Sequence, residues 1–138
     1  MPGGCYIDLS DCNLSTIPSG IYRNLGQTNL YLSGNDFVSL PESSISQFSY
    51  LRRLYLDGCK SLRSLSNIQI PSAVQFICVD NCTSLERLPE GPEPSRDVDS
   101  FCAYFTVQCF NCFKLAENFE NFSNMFQVSL SLISVCVF

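Results

Sequence analysis

The sequence contains no histidine and no tryptophan among its 138 residues. Without histidine, the commonest general base and the commonest metal ligand are missing. A serine–histidine–aspartate relay is likewise excluded. Charge is sparse. Eight Lys and Arg stand against thirteen Asp and Glu, for a net charge of −5. The basic residues are scattered, which argues against nucleic acid, where cations must neutralise phosphates, and against an anionic membrane surface. Long apolar runs are missing too. The stretch from Met125 to Phe138 is broken by serines and falls short of the roughly 20 apolar residues of a bilayer span. Residues 1–5 show no basic region leading into an apolar run, so no secretory signal is expected there. The expected location is the cytoplasm, or cytoplasm and nucleus, where the nine cysteines stay mostly reduced.

What the sequence does have is a repeat. One segment runs Ile7-x-Leu9-x-x-Cys12-x-Leu14-x-x-Ile17-Pro18, and 23 residues later comes Leu30-x-Leu32-x-x-Asn35-x-Phe37-x-x-Leu40-Pro41. Two more follow, Leu54-x-Leu56-x-x-Cys59-x-x-Leu62-x-x-Leu65 and Ile77-x-Val79-x-x-Cys82-x-x-Leu85-x-x-Leu88-Pro89. A partial fifth unit, Val107-x-Cys109-x-x-Cys112-x-x-Leu115, comes after a longer gap. The spacing has a physical reading. In each apolar-x-apolar triplet, alternate residues of a short strand point the same way. Both apolar residues enter an interior and the residue between them faces out. The Asn or Cys three residues on turns the chain away from the strand. An Asn there satisfies backbone groups of neighbouring turns, and a thiol tolerates burial while remaining a weak donor. No single coil buries its own apolar face, so the coils must stack. This is the leucine-rich-repeat pattern. The fold class it predicts is α/β: a solenoid with short parallel strands on the concave face, an irregular convex side and a C-terminal helix/strand extension.

The wording around the repeat is more specific than its period. Leu30-Tyr31-Leu32-Ser33-Gly34-Asn35 with Leu40-Pro41-Glu42-Ser43, Leu54-Tyr55-Leu56-Asp57-Gly58-Cys59, and Asp80-Asn81-Cys82-Thr83-Ser84-Leu85 resemble plant intracellular immune receptors. The resemblance is strongest to the last repeats of the TIR–nucleotide-binding–leucine-rich-repeat class, of the kind found in the tobacco mosaic virus resistance protein. Phe110-Asn111-Cys112-Phe113-Lys114-Leu115 resembles the motif that opens the domain after the repeats in that class. The resemblance spans roughly 5–122. It departs from the class in lacking a TIR domain and a phosphate-cradling Gly-x4-Gly-Lys-Ser/Thr loop. Gln27 also stands where leucine is usual, and Ser66 where proline is usual. The resemblance implies a detector fragment: a non-enzymatic protein-recognition module that senses pathogen effectors in defence. The alternative is a stand-alone structural or adaptor leucine-rich-repeat protein. The expected partner is a protein, either an effector or another domain of the same receptor. No cofactor, metal, nucleic acid or membrane span is expected.

Strand geometry selects the candidate contact residues. Three outward columns run across the strands: Tyr6, Asn29, Arg53 and Phe76; then Asp8, Tyr31, Tyr55, Cys78 and Gln108; then Ser10, Ser33, Asp57 and Asp80. Exposed aromatics and arginine dominate interface energetics, so Tyr31, Arg53, Tyr55 and Phe76 are the first candidates, with Asp57 and Asp80 as polar rim. The competing expectation is intramolecular, with these aromatics stacked on neighbouring coils. Cys109-x-x-Cys112 with Cys78 and Cys82 has the residue types for zinc. The repeat aims Cys78 outward and the other three inward, so their sulfurs should not converge.

The chain divides into repeats over 1–90, a turn-rich loop over 91–100 and a truncated post-repeat segment over 101–138. Within the last, Leu115, Phe119, Phe122 and Phe126 lie on one helical face, which predicts a helix near 114–126 that caps the solenoid. Alternation over 127–132 is strand-like. The apolar end after it is expected to have nothing to pair with.

Overall fold

A computed structural model describes residues 6–23, 26, 28–89, 105–117 and 133–136. Six parallel strands lie side by side in chain order in one sheet. They are β1 (Tyr6–Asp8), β2 (Asn29–Tyr31), β3 (Arg53–Tyr55), β4 (Phe76–Cys78), β5 (Phe105–Gln108) and β6 (Ile133–Cys136). The register aligns Ile7, Leu30, Leu54, Ile77 and Val107, so each apolar-x-apolar triplet became a strand beside the preceding one. The longer step into the fifth unit only lengthens the connection. The sixth strand pairs with β5, which corrects the expectation of an unpaired apolar end. The 127–132 alternation lies outside the described residues, as does Gln27. A short 3₁₀ helix, Ser19–Arg23, follows the first coil. Where a helix is expected near 114–126, the described residues hold α1, Phe113–Glu117; 118–126 lie outside them.

The interior is continuous. Leu30, Leu32, Leu54, Leu56, Ile77 and Val79 are fully buried, each worth roughly 1.5–3 kcal/mol against exposure. Phe37, Leu40, Leu62, Leu65, Leu85 and Leu88 close the coils from the far side. Ser39, Ser64 and Arg87 form a second, minimal line of parallel bridges there, a feature the periodicity did not announce.

Each coil turns off its strand by the same two devices. The first is one residue with left-handed backbone immediately before the Asn/Cys position: Asp11, Gly34, Gly58, Asn81 and Asn111, all with φ between 54 and 72°. These are the residue types that tolerate that conformation. The twist aims the backbone N–H at the following coil: Gly34 N–H donates to Asp57 O at 2.8 Å and Gly58 N–H to Asp80 O at 2.7 Å. Gly34 is constrained twice, because a Cβ there would run into the Asp11 carboxylate.

The second device is the side chain that follows. Asn35 accepts the Cys12 and Leu14 amides on Oδ1 at 3.1 and 2.9 Å, and donates from Nδ2 to Leu9 O and Leu32 O at 2.9 and 3.0 Å. In later coils a thiol takes over. Cys59 Sγ donates to Leu32 O, Cys82 to Leu56 O and Cys112 to Val79 O. The rungs at Asn35, Cys59, Cys82 and Cys112 therefore each reach back to the coil before them.

Candidate functional site: the outward face of the strands

The register places two of the three outward columns as the alternation requires: Tyr6, Asn29, Arg53, Phe76 and Thr106 in one, Asp8, Tyr31, Tyr55, Cys78 and Gln108 in the next. The inward neighbours of these residues are locked in the core, which fixes the direction of every outward side chain.

Four rings join into a ladder across the first four coils. Tyr6 meets Tyr31 edge-on with centroids 6.0 Å apart. Tyr31 stacks on Tyr55 at 4.6 Å and 8° between planes. Tyr55 meets Phe76 at 5.7 Å and 57°. Such pairs are worth about 0.5–1.5 kcal/mol beyond their area burial. The intramolecular expectation therefore holds for the rings among themselves. Their outer surface is not covered by another described element: Tyr31, Tyr55 and Phe76 are half-buried and Tyr6 is 65% exposed. Sequence reasoning ranked Tyr31, Tyr55, Arg53 and Phe76 first and left Tyr6 out. The signal that finds it is the diagonal step from one column to the next, visible once the register is known.

The charged candidates behave differently from one another. Arg53 is exposed. Asp57 accepts the Ser33 hydroxyl. Asp80 accepts the Phe110 amide on Oδ1 at 2.7 Å and the Gln108 side-chain amide on Oδ2. The two aspartates expected at a polar rim thus already bridge coils. Asp8 lies at the end of its column and accepts the Ser10 amide, a bond that holds its carboxyl below the usual range.

Cys78 is a correction. The alternation aims it outward, and the expectation was solvent. It is 5% exposed because Gln108 from the next coil reaches across it toward Asp80. Burial pushes its thiol up to about 12. Burial also raises Cys59 and Cys82, and takes Cys112 to about 11. A thiol held neutral neither attacks nor ligates a metal readily. Among the described residues no group of three or more Cys, Asp or Glu is placed to hold a metal ion.

No protein-family model matches the chain. Single relatives do. The chain is 33% identical over 110 residues, 80% of its length, to the disease resistance-like protein DSC1 of Arabidopsis thaliana. This is a leucine-rich-repeat chain with plant disease resistance homologues. A probable disease resistance protein of the same plant is 33% identical over 109 residues. The chain spans only 9% and 6% of the length of these two relatives. Human leucine-rich repeat-containing protein 20 is 39% identical over 61 residues, covering 41% of this chain and 33% of that protein. No helix among the described residues is long and apolar enough to cross a membrane.

Proposed function

We propose that this chain is the detector part of an intracellular plant immune receptor, and that the outward face of β1–β4 binds a protein, either a pathogen effector or another domain of the same receptor. The observation that carries the proposal is the ring ladder from Tyr6 to Phe76, preassembled beside an exposed arginine on a rigid sheet. Rings already stacked lose little freedom when a partner arrives, and preorganisation of this kind raises affinity. The Arabidopsis relatives support the setting. The repeat wording around Tyr31, Tyr55 and Asn81 supports the TIR class. Thiols in adjacent coils that act as donors rather than disulfides support a reducing cytoplasm. Neutral buried thiols and the lack of histidine support recognition without catalysis. The test is capture of partners from infected and healthy leaf extract by the full chain and by the Tyr31→Ala/Arg53→Ala/Tyr55→Ala variant. The variant should lose the captured partner while its urea midpoint stays within the range of the single substitutions. An unchanged capture sinks the reading.

A further inference from the structure

The charges on the outward face are not equivalent, and the difference bears on what the face binds. Among its described residues the three columns hold three carboxylates, Asp8, Asp57 and Asp80, and one cation, Arg53. Every one of the carboxylates has an internal donor: the Ser10 amide, the Ser33 hydroxyl, and the Phe110 amide with the Gln108 side chain. Arg53 has no ion pair among the described residues, where the surface pair is Arg63 with Glu86 on another part of the coil. Arg53 is thus the one cation among the described residues of the three columns, in a chain of net charge −5.

Its surroundings are set by register. Arg53 lies between Asn29 and Phe76 on neighbouring strands and two residues before Tyr55 on its own. Strand geometry puts those backbone positions about 4.8 Å to either side and about 6.7 Å along. The rings of Tyr6, Tyr31, Tyr55 and Phe76 step from the first column to the second and back again. Their backbone positions therefore flank those of Asn29 and Arg53 on three sides. Arg53 itself is exposed, and its guanidinium offers a carboxylate charge-assisted, bidentate hydrogen bonds beside the ring ladder.

We infer that the strand face takes an acidic peptide segment of its protein partner, with a carboxylate seated on Arg53 and flat apolar side chains on the surrounding rings. This inference rests on the proposed docking face and adds the chemistry of the occupant. It runs against the overall charge: a face steered by net charge alone would prefer a basic partner. At 0.15 M salt that long-range preference is screened beyond about 8 Å, so the local cation decides.

The test uses the full chain and three labelled ten-residue peptides that alternate Tyr with Glu, Gln or Lys, read by fluorescence anisotropy at 0.15 M salt. The Glu peptide should bind roughly two- to fivefold tighter than the Gln peptide, and the Lys peptide weakest. Arg53→Gln should close the gap between Glu and Gln peptides without changing affinity for the Gln peptide. Arg53→Glu should reverse the order in favour of Lys. A gap that survives Arg53→Gln, or a natural chain that prefers the Lys peptide, overturns the inference. The variant Tyr31→Ala/Tyr55→Ala separates the two levels. If it loses all three peptides while Arg53→Gln keeps the gap, the face binds and only the assigned chemistry is wrong. If it binds all three unchanged, the docking face itself is wrong.

Discussion

The first coil and the coils stacked behind it carry the same pattern and are held differently. In the third coil Leu54, Leu56 and Cys59 are fully buried. Their counterparts in the first coil, Ile7 and Leu9, are only partly buried, and Cys12 is exposed. The rungs explain why. Cys59, Cys82 and Cys112 each bond a carbonyl of the preceding coil, whereas Cys12 Sγ reaches only Ser10 O of its own. What fastens the first coil comes from the second. Asn35 bonds three of its backbone groups, and Asp36 N–H donates to Leu14 O at 2.8 Å. The amide that bonds three groups of the first coil thus stands where the least-buried coil must be held, and thiols that each reach one carbonyl of the preceding coil serve where packing shares the task. One position in a repeat has no fixed energetic value; its neighbours set it.

Three experiments would break or sharpen that contrast. The largest effect is expected in the core. Leu56→Ala should cost about 3–4 kcal/mol and Leu9→Ala about 1 kcal/mol in urea unfolding, since the deletion penalty grows with the cavity that cannot relax. Equal losses would mean the first coil is packed as tightly as the third. Next comes the rung. Asn35→Ala should cost about 3 kcal/mol, because it strands buried carbonyls and amides, against about 1 kcal/mol for Cys82→Ala. Amide hydrogen exchange over 7–14 should rise in the first variant and stay unchanged in the second.

The third effect is silent at neutral pH. Burial raises the Cys112 thiol to about 11 and Cys78 to about 12 from an ordinary value of 9.0. The folded state therefore keeps these protons more tightly than the unfolded chain. That contribution is complete below pH 9 and disappears as pH rises through 11 and 12. The urea midpoint should be flat to about pH 8.5 and fall across 9–12. Cys112→Ser should shrink the fall. A fall as deep in that variant as in the natural chain would deny the Cys112 thiol any part in it.

Much of this was legible beforehand, and particular residues show where legibility stops. The alternation of Leu30, Tyr31 and Leu32 named the inward and outward sides correctly, because a strand allows no other period. The left-handed series Asp11, Gly34, Gly58, Asn81 and Asn111 was present in the sequence as a column of tolerant residue types. Its meaning needed the backbone angles. Tyr6 became part of the ladder only through its neighbour on β2. Cys78 was placed on the right face but at the wrong depth, since its cover, Gln108, is 30 residues away. Charge alone places Asp57 and Asp80 at a polar rim, and the structure shows them already bonded across coils.

The repeat by itself determined the solenoid, the parallel sheet, the buried ladder and the set of outward columns, because period and strand geometry leave one way to hide the leucines. Only the tertiary structure decided which outward groups remain unengaged. That depends on side chains meeting across coils, as Ser33 meets Asp57, Gln108 meets Asp80 and ring meets ring. Such meetings are set by distances between strands and by rotamers, quantities that a linear spacing does not contain.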